Sequence, residues 1–348
     1  MKSKIFMKKI ISLILILSIG LIAVAQQKPY YSQYVLNNYI LNPAVTGIEN
    51  YVDMKFSYRN QWTDIDGAPV TSYVTINGPI GKKDKRTTAT SLQIPGDNPY
   101  KSSALDNYEP ASPHHGVGLT LISDKTGYIS RTTLGVSYAY HIPVSVTTSL
   151  SAGLIAGITN VNLDRSKIVW GSLDPNDPAI GYSNGEITKS MPEFGAGLWL
   201  YSRDYFIGAS VLNLVPGKLN FVKNDIYGDN FYPHLFLQAG YRFFVSDDIS
   251  ILPSLALQKI NPLPVFVHSN VKLQYQNIFW VGAGYRIKDQ LSGATAMAGI
   301  NIGRTFNISY SFNSAVNSKL NTYAGKTHEI LIGLNLGKKD DTCPKNIW

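Results

Sequence analysis

The chain has 348 residues, a formal net charge of +8, 22 Tyr, 29 Gly, a single Cys and 16% charged residues. That balance is too apolar and aromatic for a disordered chain, and it shows neither the basic face nor the reading module of a nucleic-acid binder. One thiol cannot close an internal disulfide, so stability has to come from packing and hydrogen bonding.

The first 25 residues carry a targeting pattern. Lys2, Lys4, Lys8 and Lys9 form a basic start, Ile10 to Val24 is almost wholly apolar, and Ala23-Val24-Ala25 is an A-x-A cleavage signal. This predicts a secretory signal peptide over 1–25. Gln26 follows the cut, where a lipoprotein needs Cys. Loss of the four lysines takes the charge from +8 to +4. No later apolar run approaches the roughly 20 residues of a membrane helix.

Residues 26–50 are amide-rich and interrupted by Pro43 and Gly47. Their Asn and Pro suit capping and turning better than a ladder, which predicts an N-terminal periplasmic lead-in or plug. From Tyr51 the text changes to period two. Val52, Met54, Phe56 and Tyr58 alternate with Asp53, Lys55, Ser57 and Arg59, so one face of a strand is apolar and the other polar. The pattern recurs to residue 337 and predicts strands near 51–59, 69–78, 116–123, 128–142, 147–160, 190–202, 204–214, 233–245, 249–258, 265–276, 278–288, 291–302, 305–313 and 327–337. A long polar connection, 79–115, separates the second from the third. The tail 338–348 holds Cys343, read as an incidental thiol.

An all-β chain of this kind is either a soluble sandwich or a transmembrane barrel. Two features favour an antiparallel outer-membrane barrel of about 14 strands over 51–337. Most segments have nine or more residues, the length a tilted strand needs to cross a bilayer. Tight turns such as Ser202-Arg203-Asp204 alternate with long connections such as 161–189, 215–232 and 314–326, as in barrels with short turns on one rim and long loops on the other. Tyr140, Tyr201, Tyr205, Phe243, Tyr275 and Phe279 suit interfacial girdles. The predicted lumen-facing residues include Arg131, Gly195, Gly197, Arg242, Lys272, Gly282, Gly284 and Arg286. Fourteen tilted strands enclose a backbone diameter of roughly 28 Å, too wide for inner side chains alone to fill. Water, a folded-in segment or part of another protein has to occupy the space.

No catalytic constellation, metal set or cofactor motif emerges. His114-His115 are adjacent in a predicted loop, and neighbours there need not converge on a metal. Asp174-Pro175-Asn176-Asp177-Pro178 lacks the ligand spacing of a calcium loop and reads as turn chemistry. A nucleophile–base pair is not visible.

Gln33-Tyr34, Asn42-Pro43-Ala44, Gly47, Tyr58-Arg59-Asn60-Gln61-Trp62 and Gly67-Ala68-Pro69 resemble the N-terminal signature of the PorP/SprF family. Gly116-Val117-Gly118-Leu119, Asp124-Lys125-Thr126-Gly127 and Tyr138-Ala139-Tyr140 continue the likeness over nearly the whole mature chain. The resemblance implies an outer-membrane protein of the type IX secretion and gliding systems of the Bacteroidota. It also implies two classes of partner: a secreted surface protein or adhesin with a type B C-terminal domain, and periplasmic ring or peptidoglycan-binding components. It makes Asn42, Pro43, Gly47, Tyr58, Arg59, Gln61, Trp62, Gly67 and Pro69 candidates for structural or partner-binding roles, and implies no catalytic residue. The expected placement has the N-terminus and short turns in the periplasm. A diffusion porin is the alternative; porins line a constriction with opposed charges, whereas these inner rows are mostly Ser, Thr, Asn and Gly. A soluble β-sandwich is the third reading.

Overall fold

The computed structural model describes residues 31–82, 88–91, 110, 112–164, 186–215, 218–219, 229–230, 232–246, 248–261, 263–276, 278–287, 292–303, 305–316 and 325–337. The expected signal peptide, most of the 79–115 loop, the Asp174–Pro178 turn, and the tail with Cys343 lie outside the described residues.

Fourteen antiparallel strands close into a barrel. In chain order they are β1 (Val52–Asn60), β2 (Val70–Ile80), β3 (His114–Thr126), β4 (Ile129–Pro143), β5 (Ser149–Asp164), β6 (Glu186–Tyr201), β7 (Tyr205–Leu212), β8 (His234–Tyr241), β9 (Ile249–Ile260), β10 (Phe266–Tyr275), β11 (Phe279–Ile287), β12 (Gly293–Ile302), β13 (Phe306–Ala315) and β14 (Thr327–Leu336). Phe243–Phe244 carry β8 onward against β9. Each strand pairs with its sequence neighbours, and β1 meets β14 from Val52–Leu336 to Asn60–His328, which seals the ring and leaves no open edge.

Alternation sorts the side chains. In β4, Val136 is 60% exposed on the outer face while Ser137 beside it is 2% exposed inside. Leu119 and Leu121 of β3, Leu154 and Ile158 of β5, and Leu235 and Leu237 of β8 extend the same outer band. An apolar band this continuous is covered by lipid hydrocarbon. Tyr140, Phe243 and Phe279 are exposed near strand ends, as girdle residues should be. Tyr201 is not one of them. It shares the inward parity of Trp199, is 2% exposed, and hydrogen-bonds His141 inside the barrel.

The turns 144–148, 202–204, 245–248, 276–278 and 303–305 share one rim, here the turn rim. The connections 165–185, 213–233 and 316–326 share the other, the loop rim. The alternation is not strict: on the loop rim the β3–β4 turn and the connections 261–265 and 288–292 are short, and the long 81–113 connection lies on the turn rim. The β2–β3 pairing runs from Val70–Lys125 to Ile80–His115, so the long connection is a true feature of that rim rather than a slipped register.

The interior is occupied by the chain itself. Residues 31–49 form three short 3₁₀ turns, Tyr34–Leu36, Asn38–Ile40 and Pro43–Val45, nearly all buried within the ring. Asn42 is extended and its side chain accepts from the Ala44 N–H at 2.9 Å; Pro43, with no N–H to satisfy, sits at the first position of the turn. The segment runs lengthwise through the lumen. Ser32 and Gln33 bond Glu329, two residues into β14 at the loop rim, whereas Gly47 and Glu49 reach Asn77 and Thr88 at the turn rim. The sequence predicts a periplasmic lead-in or plug over 26–50, and the described part of it, residues 31–49, lies within the ring. The β1 entry point pins residue 50 to the turn rim, and lumen hydrogen bonds carry the preceding residues to the opposite half.

An arginine at the bilayer midplane should destabilise the barrel by about 2–4 kcal/mol, and near an interface by about 0–1 kcal/mol. Val136→Arg, at the centre of β4, is accordingly expected to lower the urea midpoint in lipid vesicles far more than Thr132→Arg near the loop rim.

Candidate functional site

The inner segment has no strand beside it, so its main-chain groups have to be met by wall side chains. They are met in sequence around the ring. The Leu41 carbonyl accepts from the Ser210 hydroxyl of β7 at 2.6 Å, and the Ala44 carbonyl from Ser151 of β5 at 2.5 Å. The Thr46 carbonyl lies 2.9 Å from His141 Nε2 of β4, and the Gly47 carbonyl 3.2 Å from His114 Nε2 of β3. Lys82 Nζ donates to the Ile48 carbonyl at 2.6 Å. Each such group left bare would cost about 1–3 kcal/mol. The two imidazoles stack with centroids 4.4 Å apart. A carbonyl can only accept, so His141 carries its proton on Nε2 and its Nδ1 receives the Tyr201 hydroxyl at 3.0 Å.

Side chains of the segment reach outward in turn. Asn42 Nδ2 donates to the carbonyls of Leu198 in β6 and Ala209 in β7 at 3.1 and 3.3 Å. The Tyr39 hydroxyl is 2.7 Å from Ser137 and receives Thr120 at 3.0 Å. Asn37 donates to Thr75, and Gln238 to Asn38. Close approach depends on missing side chains in the wall. A Cβ on Gly197 would strike Asn42 Oδ1, and Gly47, at φ +73, has Gly116 Cα only 2.5 Å from where its own Cβ would lie.

The turn-rim end is clasped by part of the 81–113 connection. Glu49 is buried and accepts from Thr88 at 2.9 Å and from the Ser91 hydroxyl. Ala89, 1% exposed, gives its carbonyl to Arg242 Nη2 at 2.5 Å.

The lumen-facing residues expected from parity all point inward but serve separate places. Gly197 admits the inner segment. Gly195 packs against Leu212 and Ile155, Gly282 against Met297, and Gly284 against Asn270. Arg242 holds the clasp, Lys272 stands 5.7 Å from the Trp280 ring, Arg131 faces Asp124 across β3 and β4, and Arg286 lies at the loop rim. The signature residues divide as well. Asn42, Pro43 and Gly47 build the interior corner. Tyr58 faces lipid at 46% exposure, while Arg59 turns inward to Glu329, with Nε 3.9 Å from its carboxylate. The Gln61 N–H closes onto the Pro69 carbonyl at 3.0 Å, and the Gly67 carbonyl accepts the Gly127 N–H at 2.8 Å, tying two loop-rim turns together. Trp62 has φ +58. Glu329, His114 and His141 are central to these contacts yet carry no motif. Inward parity marks Glu329 and His141, whereas His114, expected in a loop with His115, instead opens β3 because that strand starts two residues earlier than the alternation predicts.

The family model described as type IX secretion system membrane protein PorP/SprF matches residues 23–334. The chain belongs to the PorP/SprF family. No curated protein matches it. Among solved structures it is similar to Omp33 of Acinetobacter baumannii, at 8% identity over 84% of this chain and 100% of that one, with a TM-score of 0.46. The toluene transporter TbuX of Ralstonia pickettii matches at 12% identity over 87% and 93%, with a TM-score of 0.44. The CymD monoaromatic hydrocarbon channel matches at 12% over 88% and 92%, with a TM-score of 0.46. This PorP/SprF protein is an outer-membrane barrel, and its lumen is filled by its own N-terminal segment.

Asn42→Ala removes three hydrogen bonds at the interior corner and should cost about 1–3 kcal/mol. Gly47→Ala adds a positive-φ penalty to a backbone overlap and should cost about 2 kcal/mol or more. Both are read from urea midpoints of the heat-modifiable band on gels.

Burial raises the Glu49 carboxyl above its ordinary range, against the opposing pull of Lys82, Ser91 and Thr88. A raised carboxyl stabilises the fold while protonated; the contribution is full below its ordinary value and is lost as pH rises through the raised one. Denaturant resistance should therefore decline as pH rises above the ordinary carboxyl range, and Glu49→Gln should flatten that decline.

Proposed function

We propose that this chain is a non-enzymatic receptor of the type IX secretion and gliding machinery, made with a cleaved signal peptide. It holds a secreted, adhesin-like surface protein with a type B C-terminal domain at the loop rim. Through the turn rim and the 81–113 connection it couples to periplasmic ring or peptidoglycan-binding components. The loop rim is then extracellular and the turn rim periplasmic, as in barrels with short periplasmic turns.

The observation that carries the reading is the occupied lumen. A diffusion pore needs a continuous water path, and here residues 31–49 cross the interior and bond to most of the strands around it. A barrel closed in this way acts through its rims rather than through its bore.

Two measurements on the full chain decide between receptor and porin. Gentle detergent extraction followed by pull-down should recover a large surface protein with the barrel. The isolated barrel in planar bilayers should show no steady porin-like conductance. Recovery of the barrel alone together with steady conductance would establish the porin instead.

A further inference from the structure

Two cations face the lumen in its turn-rim half. Arg242, directly after β8, is 2% exposed, and Lys272 of β10 is 3% exposed. Leu252 of β9, which pairs with Lys272 and adjoins the Phe243–Ile251 pair, lies between them. We propose that Arg242 and Lys272 hold a small inorganic oxyanion of the phosphate class inside the barrel. The inference stands apart from the receptor reading, because no part of it depends on a partner protein.

Neither side chain meets a carboxylate among the described residues. Arg242 Nη2 donates to the Ala89 carbonyl at 2.5 Å, while its Nε is buried without an acceptor. Lys272 Nζ stands 5.7 Å from the centroid of the Trp280 ring, and the charge that bears on it is that of Arg242. An aromatic face attracts a cation without neutralising it. The described acids of this rim are engaged elsewhere. Asp204 receives Arg203 at 2.8 and 3.1 Å, and Asp53 receives Lys55. Glu49 receives Thr88 and Ser91 and is drawn to Lys82, and Asp248, exposed, receives Gln276.

A buried charge is costly unless it is paired, and two buried charges of one sign raise each other's cost. One anion between them relieves both. Two positive charges match an oxyanion better than a halide, because its several oxygens can accept from Nε and from the ammonium together. Val271 and Leu273, on either side of Lys272, are exposed on the outer face, so lipid headgroups lie beyond the wall. The position also gives the ion a task. Arg242 is fixed by its own N–H to the Asp204 carbonyl at 2.6 Å and grips the clasp through Ala89. An anion that bridges it to Lys272 ties the clasp to β10.

Refolding the full chain from urea into micelles of an uncharged sugar detergent lets the ion enter as the lumen closes. Urea midpoints are then compared in sodium phosphate and in sodium chloride at equal ionic strength. The parent should be more resistant in phosphate. Phosphate also stabilises proteins through exclusion from their surfaces, so the deciding quantity is the difference between variants. Lys272→Met should lose most of the phosphate response yet match or exceed the parent in chloride, because it deletes a buried unpaired cation. Lys125→Met, at the exposed loop rim, should respond as the parent does. Equilibrium dialysis against radiolabelled phosphate, begun during refolding, should give a single site, weakened about tenfold to a hundredfold by Lys272→Met or Arg242→Gln. The proposal is overturned by equal phosphate responses in the parent and Lys272→Met, by chloride stabilising the parent as well as phosphate does, or by a parent that binds no phosphate. Dialysis on the parent needs no variant and decides the matter even where a substituted barrel does not fold.

Discussion

A backbone that runs inside a barrel has no neighbouring strand to bond with, and the interior of this protein is organised around that deficit. Carbonyls from Leu41 to Ile48 receive a serine, a second serine, two histidines and a lysine, each from a different part of the wall. The hydroxyl-rich inner face is thus the complement of an irregular chain. Small polar side chains are short enough to leave room for it and donate well enough to replace a ladder. Glycines at 47, 116 and 197 let the backbones approach, and Asn42 with Pro43 turns the segment between β6 and β7.

The same arrangement links the two rims. Glu329 joins the start of the inner segment to β1 through Ser57 and Arg59, while Glu49 joins its end to the Thr88–Ser91 turn. The segment is therefore anchored at both ends by a buried carboxylate and along its length by neutral groups.

Much of this was legible from residue order. Period-two text placed all fourteen strands, and parity alone assigned Arg131, Arg242, Lys272 and Arg286 to the inside, because the strand repeat leaves a side chain only two directions. Parity also contained the correction to Tyr201, which the count of aromatics near strand ends had placed outside. Glu329 was equally available to parity, yet a single acid in an apolar strand carries no spacing that distinguishes it. The Arg59–Trp62 signature was visible as a string, but its split into a lipid-facing Tyr58, an inward Arg59 and a strained Trp62 depends on the turn that follows β1.

Local physics was enough for the barrel, since alternation, strand length and turn placement are short-range properties written residue by residue. The direction and depth of the 31–49 segment are of another kind. An amide-rich, Pro-broken stretch has no periodicity, and its path follows from partners hundreds of positions away: Ser32 meets Glu329, Gln33 meets Ser309, and Asn42 meets Leu198. Those contacts exist only once the ring has closed and left a lumen too wide for its own side chains, so the order of residues sets the strands, and closure of the sheet sets where the irregular chain must go.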